Sequence, residues 1–314
     1  MKNDVKTGRS SGEEEITVCI CTYQRQELLE RLLAALAVQR TDSLFTFSLV
    51  VVDNDSSESA RHVVERLKPT LSVPIRYAVE PERNFALVRN CALSLVCGKY
   101  VAFIDDDEIP VEDWLVQLWR VLHSQMADAV LGPVRPYFEK EPPAWIKRGR
   151  ICERPSHVTG TEVHWRHTRT GNVLLRMTMV VDDGICFDPA YAGGGEDVDF
   201  FRRAALKGKH FVWCEEAPAY ELVPESRLSR RYHLKRAFHQ GGLSFKYAID
   251  EPSVFGKLRV AAKAFAAAVI YSLALPVLFL FGEHLGMKYL IKDCHHVARL
   301  LAVLGMSNSS RRNF

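Results

Sequence analysis

No two of the eight cysteines are spaced as Cys-x-x-Cys, and no compact framework joins them. Cys19, Cys21, Cys91, Cys97, Cys152, Cys186, Cys214 and Cys294 are scattered through apolar stretches instead. That absence argues against zinc, whose cysteine sites need close ligand spacing. It points to buried, reduced thiols in a cytosolic compartment. A basic excess is lacking too: 41 basic against 38 acidic side chains leave a net charge of +3. Nucleic-acid binders usually carry far more, so none is expected as a partner. No internal repeat is present. Residues 1–15 are polar, contain no apolar core of a signal peptide, and read as a disordered tail.

What is present is ordinary for a globular chain, 47% hydrophobic and 25% charged over 314 residues. That length holds one large domain or two small ones. From Ile16 the text turns β-branched and apolar, and Ile16-Thr17-Val18-Cys19-Ile20-Cys21 reads as a buried strand. Residues 27–38 place Leu28, Leu32, Leu33 and Leu36 at helical spacing. Strands then recur at 49–52, 75–79 and 100–104, separated by helical stretches near 60–67 and 86–96. Such alternation argues for a parallel sheet with helices on both faces. A helix at 114–122 and short strands at 129–131 and 173–175 follow, then a helix at 196–206. Residues 136–170 lose periodicity and read as a long functional loop or insertion.

In parallel α/β sheets, ligands bind beyond the carboxyl ends of the strands. Two acidic clusters fall at that edge, Asp53-Asn54-Asp55 and Asp105-Asp106-Asp107-Glu108. Adjacent carboxylates repel, and a bound cation relieves them; Mg²⁺ and Mn²⁺ favour oxygen ligands shared with phosphate. The second cluster therefore suits a nucleotide diphosphate with a divalent metal, or else is a solvated turn capping the next helix. Asp, Asn and Ser at the first cluster are equally good turn and cap residues. Glu196-Asp197 follows Gly193-Gly194-Gly195 and opens a helix, whose dipole favours an ionised carboxylate. A carboxylate so placed can take a proton from a hydroxyl, or can simply cap the turn. His164, His167, His233 and His239 read as surface or loop residues; Trp145 and Trp165 suit packing or a sugar ring.

Residues 264–282 carry no charge and approach the ~20 needed to cross a bilayer. Lys257, Arg259 and Lys263 precede them; Lys288, Lys292, Arg299, Arg311 and Arg312 follow, so sidedness is not set by charge. Pro276 allows a kink or a re-entrant turn. Residues 287–304 mix apolar with basic positions, as an interfacial helix does. Membrane contact at the cytoplasmic face is expected, with a buried core helix as the alternative.

The ordered series ITVCICTYQR, VVVDNDSSE, RNFALVRNCAL, YVAFIDDDEIPVEDWL, TGNVLL and GGGEDVDFFRRAALKG resembles glycosyltransferase family 2, the inverting enzymes of GT-A fold. It spans about residues 16–245 and is closest to bacterial members that build exopolysaccharide or other surface glycans. The resemblance implies a Rossmann-like mixed sheet with helices on both faces, followed by membrane-associated helices in 246–314. It implies nucleotide contacts from Thr22, Tyr23, Arg25, Asp53, Asn54, Asp55, Arg83, Arg89 and Asp106. Asp105 and Asp107 match the metal-binding Asp-x-Asp, with Asp107 as the direct ligand. Asp197 matches the catalytic base, with Glu196 beside it. The donor would be a UDP- or GDP-sugar, and the acceptor a lipid-linked or other glycan hydroxyl. Arg230-Arg231-Tyr232 through Arg236, with Gly241-Gly242, resembles the basic segment that closes over the pyrophosphate. The Gln-x-x-Arg-Trp of processive synthases is missing, so single addition is implied. Where many relatives carry a His, this chain has Ala219-Tyr220-Glu221.

Two rivals make different demands. A sugar-nucleotide nucleotidyltransferase would show a glycine-rich loop after the first strand, and Cys21-Thr22-Tyr23-Gln24-Arg25 has no glycine. A membrane-anchored scaffold with a degenerate domain would not need Asp105, Asp107 and Asp197 intact.

Overall fold

β-Branched residues at every second position let one strand serve two cores, and β1 (Glu15–Thr22) does so. Ile16, Val18 and Ile20 join one buried cluster, while Cys19 joins the other. The structure, a computed structural model, describes residues 14–192, 194–248 and 254–306. The tail expected at 1–15 lies outside them except for Glu14 and Glu15, as do Gly193, Arg311 and Arg312.

After β1 come α1 (Gln26–Ala37), β2 (Thr46–Asp53), α2 (Arg61–Leu67), β3 (Ile75–Val79) and α3 (Phe85–Ser94). Next are β4 (Tyr100–Asp105), β5 (Glu108–Pro110), α4 (Trp114–Ser124), β6 (Ala129–Leu131), β7 (Val134–Tyr137) and α5 (Ala144–Gly149). β8 (Val173–Arg176), α6 (Thr178–Val181), α7 (Glu196–Leu206), β9 (Phe211–Trp213) and β10 (Ala219–Leu222) follow. The chain closes with α8 (Arg230–Ala248), α9 (Val254–Leu280) and α10 (Glu283–Val303). These elements fall into two units. The first comprises the chain to Val134, 156–192 and 196–219; the second comprises 135–155, 193–195 and Tyr220 onward. The second unit therefore begins earlier than residue 246 and recruits a segment from the middle of the sequence.

In the first unit the sheet runs β3-β2-β1-β4-β8-β6-β9. β1, β2, β3 and β4 pair in parallel, as the alternation predicts. β8 departs from that prediction. It lies antiparallel to both β4 and β6, so the sheet is mixed. The chain reaches β8 through an irregular excursion instead of a crossover helix, and only such a crossover would impose a parallel return.

Alternate side chains on β1, β2, β4, β6 and β8 feed opposite clusters. Helices α1, α2 and α4 cover one face, and α3, α6 and α7 the other. The inward stripe of α1 is Leu29, Leu32, Leu33 and Leu36, all fully buried. Leu28 is only half-buried, so the expected stripe is corrected by one residue at its start. Each of these leucines contributes roughly 1.5–3 kcal/mol through burial.

The second unit is mostly helical. Val223 N donates to Tyr137 O at 2.9 Å beside the paired β7 and β10. Helix α5 and the end of strand β7 fall in the stretch that shows no periodicity in the sequence, because elements of six and four residues are too short to display one. Trp145 and Ile146 of α5 form a small core with Met287. Helix α10 packs along α8 and α9. At Gly241 a Cβ would lie 2.2 Å from His295 O, so glycine permits the close approach of α8 to α10. Pro276 neither kinks α9 into a re-entrant turn nor ends it. The helix continues to Leu280, and the chain reverses at Gly282 with φ +129°.

Candidate active site

Parallel register aligns the carboxyl ends of β1, β2 and β4 along one lip of the first unit. Thr22 pairs across from Asp53, and Cys21 from Asp105. At this lip the apolar pattern gives way to buried charge. Asp53, Asn54, Asp55, Asp106, Asp107, Glu108 and Glu196 are all buried.

The two acidic clusters are held differently. Asp53 accepts from the amides of Asp55 (3.1 Å) and Ala60 (2.7 Å) and from the Tyr77 hydroxyl (2.9 Å). Burial raises its pKa, and those three donors work against the rise. Asn54 donates to the carbonyls of Glu80 and Glu82, both at 2.7 Å. Asp55 accepts from Ser57 N (3.0 Å) and Gln24 Nε2 (3.1 Å), and the Ser57 amide lowers its pKa. This loop is held by its own amides and by Gln24, Tyr77 and the carbonyls of Glu80 and Glu82. Nearby, the Arg83 guanidinium stacks on the Tyr23 ring at 4.2 Å, so two of the predicted nucleotide residues meet.

In the second cluster Asp106 is the most enclosed acid of the triplet. It accepts from Thr22 Oγ1 and Arg25 Nη1, each at 2.8 Å. Burial raises its pKa, offset by the charge of Arg25 and the Thr22 hydroxyl. Arg25 also reaches Asp107 Oδ2 at 3.2 Å. Asp105 is the open member, its side chain 46% exposed against 4% for Asp106 and 10% for Asp107. Gly171 faces it: a Cβ there would lie 2.9 Å from both Asp105 Oδ2 and Glu108 Oε1. A glycine at 171 keeps that space for carboxylates. These hard oxygen donors fit Mg²⁺ or Mn²⁺. Among the described residues, no group of three or more His, Cys, Asp or Glu is arranged to hold a metal. An ion here would therefore take further ligands from phosphate and water, and at Asp107 it would compete with Arg25.

The third feature comes from α7. Gly194 and Gly195 have φ of +115° and +93°, conformations that other residues adopt with strain. They deliver Glu196 and Asp197 into the first turn of the helix, where the dipole favours negative charge. Arg89 Nη1 donates to Glu196 Oε1 at 2.6 Å, and its Nη2 lies 3.8 Å from Asp105 Oδ1. Arg89 thus bridges the strand-end acid and the helix-start acid. Burial alone would lower the pKa of Arg89, but the surrounding negative groups raise it instead. Glu196 is pushed by burial up to about 7 despite Arg89. Asp197, half-buried, is raised by burial and held back by Arg89.

Several positioning residues escaped the sequence reading. Asn84 caps α3 by accepting from Ala86 N at 2.9 Å, and it donates to Pro189 O at 3.2 Å. Asn90 exchanges two hydrogen bonds with the backbone of Phe187 (2.8 and 2.9 Å). Together they clamp α3, which carries Arg89, to the segment leading into α7. An Asn just before a helix is a cap signal, and Asn84 was legible on that ground. Asn172, fully buried with φ +57°, accepts from Trp114 Nε1 at 2.7 Å. It also donates to Pro133 O and Ala217 O. Trp145 belongs to a core, which settles packing over sugar stacking for it. Glu221 pairs with Arg154 and Arg227.

Comparison with known proteins bears on the family and the fold. Glycosyl transferase family 2 matches residues 17–183, more than half of the chain. The succinoglycan biosynthesis protein ExoM of Rhizobium meliloti (strain 1021) is 36% identical over 230 residues, 72% of each chain. Chondroitin synthase of Escherichia coli is 25% identical over 68% of this chain, which spans about a third (35%) of that relative. Among solved structures, the mannosyltransferase PcManGT from Pyrobaculum calidifontis, in complex with GDP-Man and Mn²⁺, superposes with TM-score 0.61 at 19% identity. That match covers 92% of this chain and 88% of the other. Residues 1–349 of TarS from S. aureus, in complex with UDP-GlcNAc, give TM-score 0.56 at 17% identity over 93% and 92%. The chain belongs to glycosyltransferase family 2. It is a glycosyltransferase of GT-A fold, which removes the nucleotidyltransferase and scaffold rivals.

Proposed function

We propose that this enzyme moves a sugar from a UDP- or GDP-linked donor to a hydroxyl of a lipid-linked or glycan acceptor, inverting the anomeric carbon, in surface polysaccharide or glycolipid synthesis. The observation that carries the reading is the single lip where Arg89 pairs with Glu196 and reaches to 3.8 Å from Asp105, with Asp197 the next residue of α7. The names of the relatives support the product class, since one is a succinoglycan biosynthesis protein and another a chondroitin synthase. The two superposed structures hold nucleotide sugars, which supports the donor class.

In this reading the nucleotide lies against Thr22, Tyr23, Arg25, Asp53, Asn54, Asp55, Arg83, Arg89 and Asp106. The Tyr23–Arg83 stack offers a flat surface to the base, and the buried loop 53–55 supplies a rigid edge. Asp105 and Asp107 would hold Mg²⁺ or Mn²⁺, which when bound offsets the charge of the departing diphosphate. Asp197 takes the proton from the acceptor hydroxyl, which then attacks opposite the leaving group. Its raised proton affinity suits a base. Arg89 is engaged by Glu196, which leaves the neighbouring Asp197 as the carboxylate for that role. Residues 16–245 form the catalytic region, and 246–314 attach it to the cytoplasmic face of the membrane.

Thermal shift with UDP and GDP, each with and without Mn²⁺, tests the donor site. A ligand at 100 times its Kd stabilises by about 2.7 kcal/mol, a readily measured shift. Stabilisation that needs the metal is expected. Unchanged melting under all four conditions, together with no transfer from any sugar nucleotide to a membrane extract, would overturn the proposal.

A further inference from the structure

Helix α9 is packed inside out. Residues turned toward its neighbours are small: Ala264 is 1% exposed and Ala268 8%. Large apolar side chains point away, with Phe265, Ile270 and Leu273 largely exposed and Leu280 87% exposed. A helix stabilised by water does the reverse, because burying the largest apolar surface is what drives its packing. Helices in lipid pack through small residues, since outward apolar chains there cost nothing. Length and hydropathy make Val254–Leu280 long and apolar enough to cross a membrane, with mean hydropathy 2.0 over its best window.

Its neighbours argue against a crossing. Helix α10 turns back at Gly282 and packs along α9. The Asp293 carboxylate, almost fully buried, accepts from Ser272 Oγ at 3.1 Å, well within the length of α9. On its other side α10 is tied to α8. Arg299 Nε donates to Ser244 Oγ at 2.8 Å, and His295 O lies against Gly241. Helix α8 in turn carries Arg230, Arg231, Lys235 and Arg236. Were α9 to span the bilayer in this packing, Asp293, Lys292, Arg299 and the α8 cations would be drawn toward hydrocarbon with it. Charged side chains at that depth are strongly disfavoured. Exposed Lys257, Arg259 and Lys263 at the start of α9 and Lys292 on α10 instead supply a basic border to the apolar face. No acidic side chain interrupts α9.

We infer that α9 is a monotopic membrane helix: it lies in one leaflet of an anionic bilayer by its large-residue face, with α10 and α8 stacked on its other side and both of its ends on the same side of the membrane. This deepens the membrane attachment proposed above and rests on it. The occupant of the face is a lipid surface, because an uninterrupted apolar face bordered by lysine and arginine complements acyl chains beneath anionic headgroups.

Flotation of the full chain with vesicles of 30% phosphatidylglycerol in phosphatidylcholine, and with phosphatidylcholine alone, tests contact. Wild type is expected to float, better with the anionic lipid. Phe265→Glu with Leu273→Glu should cut the floated fraction at least tenfold with unchanged melting, since both positions are exposed. A variant that floats like wild type overturns the inference. So does a wild-type chain that stays unbound and forms a discrete dimer in light scattering, an outcome that also removes membrane attachment. Fusions of a fluorescent protein or alkaline phosphatase after Phe314, in a bacterial host, test topology. Bright fluorescence with silent phosphatase is expected. Active phosphatase would mean that α9 spans, overturning the monotopic placement while leaving attachment intact. Nucleotide-dependent thermal shift is independent of every arm and reports separately on the donor site.

Discussion

The two units break the inside-apolar rule in opposite ways. The first buries large apolar side chains in two well-formed clusters and then buries carboxylates along one lip. The second leaves Phe265, Ile270, Leu273 and Leu280 outside on α9 and turns alanines inward. In the readings proposed above, each departure marks where a partner replaces water. A divalent cation, shared with a diphosphate, answers buried carboxylates, whereas a lipid answers exposed hydrocarbon. A surplus of charge inside and a surplus of oil outside carry the same kind of information.

The contrast can be broken most forcefully at the lip. Asp197→Asn should lower transfer by about 10²–10⁴-fold, the usual worth of a positioned base, with donor binding retained by calorimetry. Transfer near the wild-type rate would remove Asp197 from the chemistry. Next in size is Arg89→Met, which strands Glu196 in a buried site beside Asp105. Losing one partner of a buried pair costs about 3–5 kcal/mol, visible in urea denaturation. A loss under 1 kcal/mol would show that the bridge is ornamental to folding.

Matched leucines compare the units directly. Leu33→Ala, at a fully buried position of α1, should cost about 2–5 kcal/mol, while Leu273→Ala on α9 should change stability by within about 0.5 kcal/mol. Equal costs would mean that the α9 face is covered in solution by protein. The pH response is subtler. Glu196 has a folded pKa of about 7 against an ordinary value of 4.5. A carboxyl raised on folding stabilises the native state below its unfolded pKa, and that contribution is lost as pH rises through the folded value. Melting temperature should therefore carry a downward component between about pH 4.5 and 7 that Glu196→Gln removes. An unchanged slope in the variant would place the titration elsewhere. Smallest of all, Arg66→Ala, which breaks an exposed pair with Glu30, should leave melting within experimental scatter.

Much of the fold was legible because strands β1, β2 and β4 are short apolar runs, the latter two ending in acids, and α1 and α4 repeat leucine or other apolar residues at helical spacing. The antiparallel entry of β8 was not. Val173-Leu174-Leu175 reads the same in either direction, and only its partners decide. At the site, the Asp triplet and the Glu196-Asp197 pair stood out as local clusters of charge. Asn90 and Asn172 did not, since an isolated Asn carries no pattern until a backbone carbonyl or an indole is brought against it.

By itself the sequence determined the local facts: which segments favour strand or helix, where acids gather at strand ends, which glycines open α7, and that one late segment is uncharged for nineteen residues. Those depend on interactions between residues a few positions apart. Tertiary structure alone decided that Arg89 meets Glu196 across 107 positions, that Asp105 is the open acid of its triplet, and that α9 shows its large side chains outward. Such outcomes depend on which distant surfaces exclude water from one another, and no window along the chain contains both surfaces.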